Sequence, residues 1–415
     1  MGMLACVGRD ANVFATASVV TPSTAMNTLF PIGGLTDGVP GVEAAFNAAA
    51  AGQNWTFDLA LSGLNGGMEG TWPASNGANV STGTGAAVQS ATFVKLGAAS
   101  TRCTGGASGV GRYRLKYSLR TGFRYRLSVW GRNTTTATCK VQIINAETGR
   151  YLQVGGASWG AAVDCVTTAT TTFVEMTVGF TVESWATCGN KDRAEIWVEM
   201  YCSQNEFVYF DELQIWPELD LVAVLGHNID VANGPQIRTS TDNFGAVDTL
   251  AATMTPQRPA FFSKLVSSIT RRYVRITFPL ANVAGAPKLG ELFGGQYLAP
   301  ARGVSAVVGE AVVSIDRPQI VSDFQTFSLA DFARTSLALP MHLLTSANHK
   351  ALRDEIVGRS AGSLYPVVIA PDDVLEGDLV VMGRLGGAQA YKRMPVDQRE
   401  TSLVIEGLPY ATVVS

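Results

Sequence analysis

The chain has 415 residues, of which 47% are hydrophobic and 16% charged, and its 43 glycines are typical of a protein built from strands and turns. A net charge of −3 argues against a whole-protein electrostatic grip on nucleic acid. The segment MGMLACVGRD has no basic start followed by an apolar run, and no stretch of about 20 apolar residues occurs. We therefore expect a protein that folds in a cytoplasm and does not insert into a membrane.

The first elements predicted along the chain are a helix and a strand. The run GVEAAFNAAAAG (41–52) predicts a short helix, and NWTFDLAL (54–61) predicts a strand with Trp55 and Phe57 on its buried face. Directly after that strand, LNGGMEGTW indicates the start of a new module. A module that begins inside another indicates a domain insertion, which surface connections with closely spaced ends tolerate.

The clearest period-two pattern is RYRLKYSLRTGFRYRLSVW (112–130), which predicts a hairpin with its turn at Thr121-Gly122. Tyrosines and leucines occupy one face of the first strand, and arginines and a lysine occupy the other. The interleaved Arg and Tyr fit a nucleic-acid stripe. Outward basic side chains are also ordinary on a sheet with one wet side, and this second interpretation is favoured.

Further strand patterns fill the chain to its end, and helical patterns are scarce. One helix is predicted by SANHKALRDEIVG (346–358), where Ser346 provides a cap, Leu352 and Ile356 form an apolar stripe, and Gly358 ends the element.

Residues 62–218 resemble carbohydrate-binding modules of the galactose-binding-like jelly-roll type. The matching segments are Asn65-Gly66 through Glu69, Gly122 with Tyr125 to Trp130, and Tyr209-Phe210-Asp211 with Leu213. Met68 stands where that family prefers Phe. The resemblance implies a β-sandwich and leaves the ligand open.

The segments that flank this module, joined across it, resemble a discoidin-type (coagulation-factor C-type) β-sandwich. They begin with NVFATASVVTPSTAMNTLFPIGGLTDG (12–38), continue through NWTFDLALS and LDLVAVLGHNIDVANGPQIRTSTDNFG, and end with RRYVRITFPLANVAGAPKLGELFGG (271–295). The insertion predicts that strands 54–61 and 219–226 are spatial neighbours.

Residues 300–415 resemble C-terminal β-rich domains that accompany such sandwiches in tailed-bacteriophage virion proteins. The predicted fold class is all-β, with two nested jelly-roll or galactose-binding-like β-sandwiches and a C-terminal β-rich domain with one helix. The predicted domains are a discontinuous discoidin-like sandwich (1–61 together with 219–299), an inserted carbohydrate-binding-module-like jelly roll (62–218) and a C-terminal docking domain (300–415).

Catalytic motifs are absent from the sequence: it contains no G-x-S-x-G elbow, P-loop, dinucleotide-binding glycine motif or H-E-x-x-H. Adjacent carboxylates such as Asp372-Asp373 would point to opposite faces of a strand, so they make no acid–base pair. We expect no enzyme. His227 follows a buried strand and is expected to satisfy backbone groups at the strand end, with ligand contact at a sandwich rim as the alternative.

The metal-binding expectation rests on the resemblance of 62–218. Modules of that type often hold Ca²⁺ between the opening Glu and the closing-strand Asp, which implies Glu69 and Asp211 as ligands of a structural Ca²⁺, the one cofactor considered. The alternative is that both carboxylates cap strand ends. The six cysteines include no C-x-x-C pair, which excludes a zinc site of the usual spacing. Cytoplasmic folding favours free thiols, with a disulfide formed later outside the cell as the alternative.

Sugar binding requires exposed aromatic rings with polar groups beside them. The candidate glycan-binding residues, which lie in or near predicted loops, are Tyr151, Trp159 and Trp185. Purely structural roles for all of them are the alternative. Three further tryptophans are expected to pack in or against the core: Trp72, Trp130 and Trp197.

These resemblances predict a structural component of a tailed-phage virion at the tail tip, baseplate or fibre, which acts as an assembly scaffold and a host-attachment arm. Its expected partners are other tail and virion proteins and a bacterial surface glycan, without nucleic acid, and its location is the virion, assembled in the host cytoplasm. Virion parts usually form symmetric rings, so we expect a homo-oligomer. The alternatives are a lectin-like adhesin for host glycans, a capsid decoration protein and a polysaccharide-degrading enzyme.

Overall fold

The computed structural model describes residues 4–7, 12–26, 28, 32–36, 44–61, 72–73, 76–134, 137–153, 158–256, 260–299, 309–321, 325–345, 350, 353–359, 367–370, 381–386, 391–394 and 398–407. In this part of the chain, 28 strands form five antiparallel sheets. The helical segments described are Phe14–Thr16, Ile32–Leu35 and Arg353–Gly358. The all-β prediction is confirmed.

The strands are numbered in chain order. They are β1 (Leu4–Val7), β2 (Ala17–Pro22), β3 (Ala44–Ala45), β4 (Gln53–Leu61), β5 (Gly77–Asn79), β6 (Ala86–Ser90), β7 (Ser100–Thr104), β8 (Arg112–Arg120), β9 (Arg124–Asn133), β10 (Cys139–Asn145), β11 (Arg150–Gln153), β12 (Ser158–Gly160), β13 (Val166–Thr168), β14 (Val174–Thr181), β15 (Arg193–Tyr201), β16 (Phe207–Pro217), β17 (Leu219–His227), β18 (Gln236–Ser240), β19 (Thr249–Thr253), β20 (Ala260–Ile269), β21 (Tyr273–Phe278), β22 (Lys288–Gly295), β23 (Gly309–Val321), β24 (Gln325–Thr345), β25 (Val367–Ala370), β26 (Val381–Leu385), β27 (Tyr391–Met394) and β28 (Gln398–Gly407).

The chain divides into two compact units. Residues Ala60–Glu218 make up one unit, and residues Met1–Leu59 together with Leu219–Ser415 make up the other.

Unit 60–218 is a sandwich of two sheets around one apolar core. One sheet has the order β12-β11-β10-β15-β8-β5, with β13 added beside β10, and the other has the order β14-β9-β16-β7-β6. Alternate residues of each strand point into the core, because successive side chains of a strand lie on opposite faces. The inward residues of the two central strands of the first sheet are Tyr113, Leu115, Tyr117, Leu119, Ala194, Ile196, Val198 and Met200.

The hairpin predicted for 112–130 is wrong, although its buried residues were predicted correctly. Strand β8 pairs with β15, whereas β9 pairs with β14 and β16 in the opposite sheet. The chain crosses between sheets at Thr121-Gly122, where Gly122 has a φ of +75° that favours glycine. An inward-facing alternation arises equally when two strands pair and when they face each other across a core, so periodicity could not distinguish the two.

The second unit contains a sheet of order β20-β17-β22-β3 and a sheet of order β19-β18-β21-β4-β2. The predicted strand 54–61 is confirmed, and Trp55 and Phe57 are fully buried. Strands β4 and β17 belong to different sheets, so the expected neighbours are not hydrogen-bonded partners. His227 ends β17, where its Nδ1 accepts a hydrogen bond from the Ile229 amide at 3.0 Å, as expected for a strand-end role.

The helix predicted for 41–52 is wrong. Ala44 and Ala45 form β3, which pairs with β22, and Phe46 is buried and stacks on Trp55 with ring centroids 4.5 Å apart. Tertiary burial therefore outweighs the helix propensity of the alanines. The helix predicted near 346–358 is present over Arg353–Gly358 with Ile356 buried, while Ser346 and Leu352 lie outside the described residues. No described helix is long and apolar enough to cross a membrane.

The third sheet of this unit has the order β1-β25-β26-β28-β24-β23, with β27 beside β28. Its first strand, Leu4–Val7, pairs with Val367–Ala370, so it belongs to the C-terminal sheet and to neither sheet that contains the described strands of 12–61. Side chains of β25 and β26 share one core with β17, β20 and β22. The predicted separation of 300–415 as a domain of its own stays a prediction.

Candidate functional site: the outward faces of unit 60–218

Each sheet of unit 60–218 has a face that points away from the core, and each such face centres on one tryptophan. The Trp197 face is formed by the outward residues of β8, β10, β11 and β15. Its members are Arg112, Arg114, Lys116, Lys140, Gln142, Ile144, Tyr151, Glu195, Trp197, Glu199 and Tyr201. The Trp130 face is formed by outward residues of β7, β9, β14 and β16. Its members are Arg102, Arg126, Ser128, Trp130, Arg132, Glu175, Tyr209 and Asp211.

A buried carboxylate lies at the centre of the Trp197 face. Glu199 is 0% exposed, and its Oε2 is 3.0 Å from Nη1 of Arg112 while its Oε1 accepts a hydrogen bond from Nε of Arg114 at 2.7 Å. The Gln142 amide also donates to Oε2. A buried carboxylate is tolerated when its oxygens have several charge-assisted hydrogen bonds. Glu199 therefore fixes the orientation of two guanidinium groups and one amide.

Two aromatic rings flank Glu199 along β15, and cations lie against both. The Arg114 guanidinium is 3.7 Å from the ring centroid of Trp197. Arg112 is 5.0 Å and the Lys140 ammonium 5.9 Å from the centroid of Tyr201. Burial, followed by contact with the Cys165 thiol, raises the pKa of the Tyr201 phenol further above neutrality. The face thus offers alternating rings and polar donors.

The Trp130 face is covered by the chain's own segment 91–98. Asp211 is 0% exposed, and its Oδ2 accepts hydrogen bonds from the backbone amides of Lys95 at 2.7 Å and Leu96 at 3.3 Å. The Lys95 ammonium is 4.2 Å from the centroid of Trp130. Phe93 of the same segment packs edge to face against Tyr209 of β16, with ring centroids 5.0 Å apart. This face therefore binds a part of its own unit.

The three predicted glycan-binding residues are not brought to one surface. Tyr151 lies on the Trp197 face, where it pairs with Ile144 in the same cross-strand row as Trp197. Trp159 packs against the core, and its indole donates to the Thr181 carbonyl at 2.7 Å. Trp185 is half-buried in the turn after β14, where its carbonyl accepts from the Asn190 amide at 2.8 Å. Their roles in binding stay predictions.

The calcium site predicted at Glu69 and Asp211 stays a prediction, because Glu69 lies outside the described residues. The Oδ1 of Asp211 accepts from the Glu212 amide at 2.8 Å, so both of its oxygens have N–H donors. A cation needs oxygen ligands, and N–H groups repel it. Within the described chain, no group of three or more His, Cys, Asp or Glu is arranged to hold a metal. What is visible at Asp211 fits the fastening of segment 91–98 better than a cation.

The cysteines whose side chains are described are free thiols. Four of them are buried in unit 60–218: Cys103, Cys139, Cys188 and Cys202. Burial raises the pKa of each, and that of Cys139 reaches about 12. The redox state of these cysteines outside the cell stays a prediction.

Trp197, Tyr201 and Glu199 were not predicted as site residues. The signal was present in the strand RAEIWVEMY, where Ala194, Ile196, Val198 and Met200 alternate with Glu195, Trp197, Glu199 and Tyr201. The same period that buries the first set places the second set on the wet face. The expectation that Trp197 packs against the core is wrong for this reason.

The fold and this site define an all-β protein with a two-sheet sandwich that exposes a cationic, aromatic face. No protein-family profile matches the chain. No curated protein matches it either.

Solved structures with some likeness to the chain include carbohydrate-binding modules and a phage protein. A family 16 carbohydrate-binding module has 15% identity and a TM-score of 0.23, over 31% of this chain and 84% of that one. A C-terminal family 22 module from Clostridium thermocellum has 14% identity and a TM-score of 0.25, over 36% and 90%. The enzymatically active domain of tailspike protein 4 from bacteriophage CBA120 has 12% identity and a TM-score of 0.26, over 34% and 19%. At these scores the likeness carries no functional information.

Proposed function

We propose that unit 60–218 binds an oligosaccharide along its Trp197 face. The observation that carries this proposal is the alternation of aromatic rings with oriented donors on β15 and its neighbours, centred on Glu199. Sugars present apolar C–H faces ringed by hydroxyl groups. A protein surface that binds them therefore combines aromatic area with fixed hydrogen-bonding groups.

The buried state of Glu199 favours a binding role over an ordinary solvated face. Burial of a carboxylate costs several kcal/mol before its partners compensate, and a solvated sheet face does not require it. Here the carboxylate holds Arg112 and Arg114 in place before a ligand arrives. Donors that are already ordered lose little side-chain entropy on binding.

Binding is tested with a matched pair of tryptophan variants. A glycan array with the full chain identifies a ligand, and calorimetry then measures its affinity for Trp197→Ala and for Trp130→Ala. Trp197→Ala should weaken binding at least about tenfold, equivalent to about 1.4 kcal/mol. Trp130→Ala should leave the affinity unchanged, because segment 91–98 covers that ring. An array without hits, or equal losses in the two variants, would refute the proposal.

We also propose that the whole chain is a non-catalytic structural and attachment component of a tailed-phage virion. Its support is the resemblance of 300–415 to virion domains and the β-sandwich architecture of the chain. In this role it would assemble with its own copies and with other tail proteins. Cryo-electron microscopy of the particle fraction of its source should show the protein in a closed ring or at the tail. Its absence from particles, as a soluble monomer, would overturn this part.

A further inference from the structure

The ligand class can be narrowed by the charges of the Trp197 face, on the basis of the proposed glycan binding. Four cations lie on this face, Arg112, Arg114, Lys116 and Lys140, against two carboxylates. The whole chain has a net charge of −3, so a cationic face on it does not follow from its composition. A local charge opposite to that of the chain favours a ligand of negative charge.

Only one of the two carboxylates, Glu195, presents its charge to a ligand. The side chain of Glu199 is 0% exposed and pairs with guanidinium groups, so its charge is not accessible to a ligand. Glu195 accepts from the Trp197 indole and lies 3.9 Å from Lys116. The Lys116 side chain is 48% exposed, and the Lys140 ammonium donates to the neutral Ser203 hydroxyl at 2.6 Å. With Glu199 buried, four cations stand against the single exposed carboxylate of Glu195, so the charge of the face is positive in sum.

The two lysines stand at separate ends of the face. Lys116 is on β8 and Lys140 is on β10, the strands on either side of β15. Lys116 pairs with Trp197 and Lys140 pairs with Tyr201, which is four residues further along β15. Strand spacing of about 4.8 Å and a rise of about 3.4 Å per residue put their Cα atoms about 17 Å apart. A single acidic sugar cannot reach both, whereas a chain with repeated acidic groups can.

The arrangement of rings and cations also favours acidic groups over a flat neutral sugar. The Arg114 guanidinium lies 3.7 Å from the Trp197 ring centroid, which places a cation beside the ring against which a sugar would pack. We infer that the Trp197 face binds an acidic polysaccharide, whose uronate-type carboxylates contact Lys116 and Lys140 while its sugar rings pack along Trp197 and Tyr201.

The test compares acidic hexasaccharides with neutral partners of the same backbone. Hexamers of galacturonate, mannuronate and hyaluronate are titrated into the full chain by calorimetry, beside their fully methyl-esterified forms. At least one acid should bind, and its ester at least about tenfold more weakly. Raising the salt concentration from about 0.05 M to about 0.5 M should weaken the binding of the acid, because salt screens exposed charges. The affinity of any neutral ligand should not change.

Variants locate the effect on the face. The double variant Lys116→Met, Lys140→Met should bind the acidic hexasaccharide at least about tenfold more weakly than the unaltered protein. Lys191→Met is the matched control, because this lysine is also exposed but pairs with Glu147 away from the face. Thermal unfolding checks that all variants fold, and the salt titration of the unaltered protein stands even if one does not.

The possible failures are distinguishable. Equal, salt-insensitive binding of acids and esters that Trp197→Ala abolishes would overturn the acidic ligand and leave glycan binding in place. If no acidic probe binds while a neutral glycan from the array does, the acidic ligand is likewise overturned and glycan binding stands. Failure of acidic and neutral glycans alike overturns both proposals. Tighter binding of single-stranded oligothymidylate than of any uronate would assign the face to nucleic acid and overturn the inference.

Discussion

The two outward faces of unit 60–218 use similar side chains for different ends. Both place a tryptophan, a tyrosine and arginines around one wholly buried carboxylate. On the Trp130 face, Asp211 accepts backbone amides of segment 91–98, and the rings are taken up by Phe93 and Lys95. On the Trp197 face, Glu199 is satisfied by side chains of the sheet itself. A buried carboxylate can thus fasten a loop when backbone amides donate to it, or order the side chains of an open surface when those side chains donate to it.

The largest effect is expected from removal of the carboxylate beneath the Trp197 face. Glu199→Ala leaves Arg112 and Arg114 without their buried partner and should lower the free energy of unfolding by about 3–5 kcal/mol. Urea unfolding followed by tryptophan fluorescence measures it. Glu195→Ala, on the same strand and face but 45% exposed, should change it by less than about 0.5 kcal/mol. Equal effects of the two substitutions would contradict the central role of Glu199.

Loss of the carboxylate on the other face should cost somewhat less. Asp211→Ala leaves the Lys95 and Leu96 amides without their acceptor, which should cost about 2–3 kcal/mol. It should also release segment 91–98, so trypsin should cut after Lys95 much faster than in the unaltered protein. Asp211→Asn keeps one acceptor oxygen and should be intermediate in both measurements. Unchanged cleavage at Lys95 would show that Asp211 does not fasten the segment.

A smaller contribution is expected from the cation stacked under segment 91–98. Arg132 lies 3.7 Å from the ring centroid of Phe93 and 5.6 Å from that of Phe173. Arg132→Met should therefore lower the free energy of unfolding by about 1 kcal/mol. Arg126→Met removes a part-exposed partner of Glu218 from the same strand and should cost less than about 0.5 kcal/mol. A larger loss of stability in Arg126→Met than in Arg132→Met would show that the stacking of Arg132 on Phe93 does not hold segment 91–98 in place.

The smallest effect is a difference in reactivity between the half-buried Cys165 thiol and the buried thiols of the core. Burial raises the pKa of Cys139 from 9.0 to about 12, so this thiol stays protonated near pH 8. Its contribution to stability is complete below pH 9 and is lost as the pH rises towards 12. Iodoacetamide should modify the half-buried Cys165 first and the buried thiols only after unfolding. Mass spectrometry of tryptic peptides reads out the order, and early modification of Cys139 would contradict it.

The sequence predicted burial well because a strand's side chains alternate strictly. Val274, Ile276 and Phe278 are fully buried as their pattern indicated, and so are Tyr113 and Leu115. The pattern did not reveal which strands pair, since pairing depends on partners far along the chain. Strand β8 pairs with β15, and Ala44 and Ala45 are drawn into a strand by contact with β22.

The candidate site was predictable only in part. Tyr151 was identified, and it lies on the Trp197 face. Trp159 was selected because it lies in or near a predicted loop, yet its indole donates a hydrogen bond to a carbonyl of β14. The alternation placed Glu199 on the outward face, but its burial among cations could not be recognised from sequence, because its partners Arg112, Arg114 and Gln142 come from two other strands. A carboxylate in a strand is ordinary until the sheet register shows that cations surround it.

The crossing at Thr121-Gly122 also governs how this unit can fold. Because β8 and β9 do not pair, no local hairpin can nucleate there. Each strand pairs with later parts of the chain: β8 with residues 193–201, and β9 with residues 174–181 and 207–217. Closing such long loops has an entropic cost before any contact repays it, so folding should be slow compared with that of a meander of hairpins. During synthesis the sandwich cannot be completed until its last strand, Phe207–Pro217, has emerged from the ribosome.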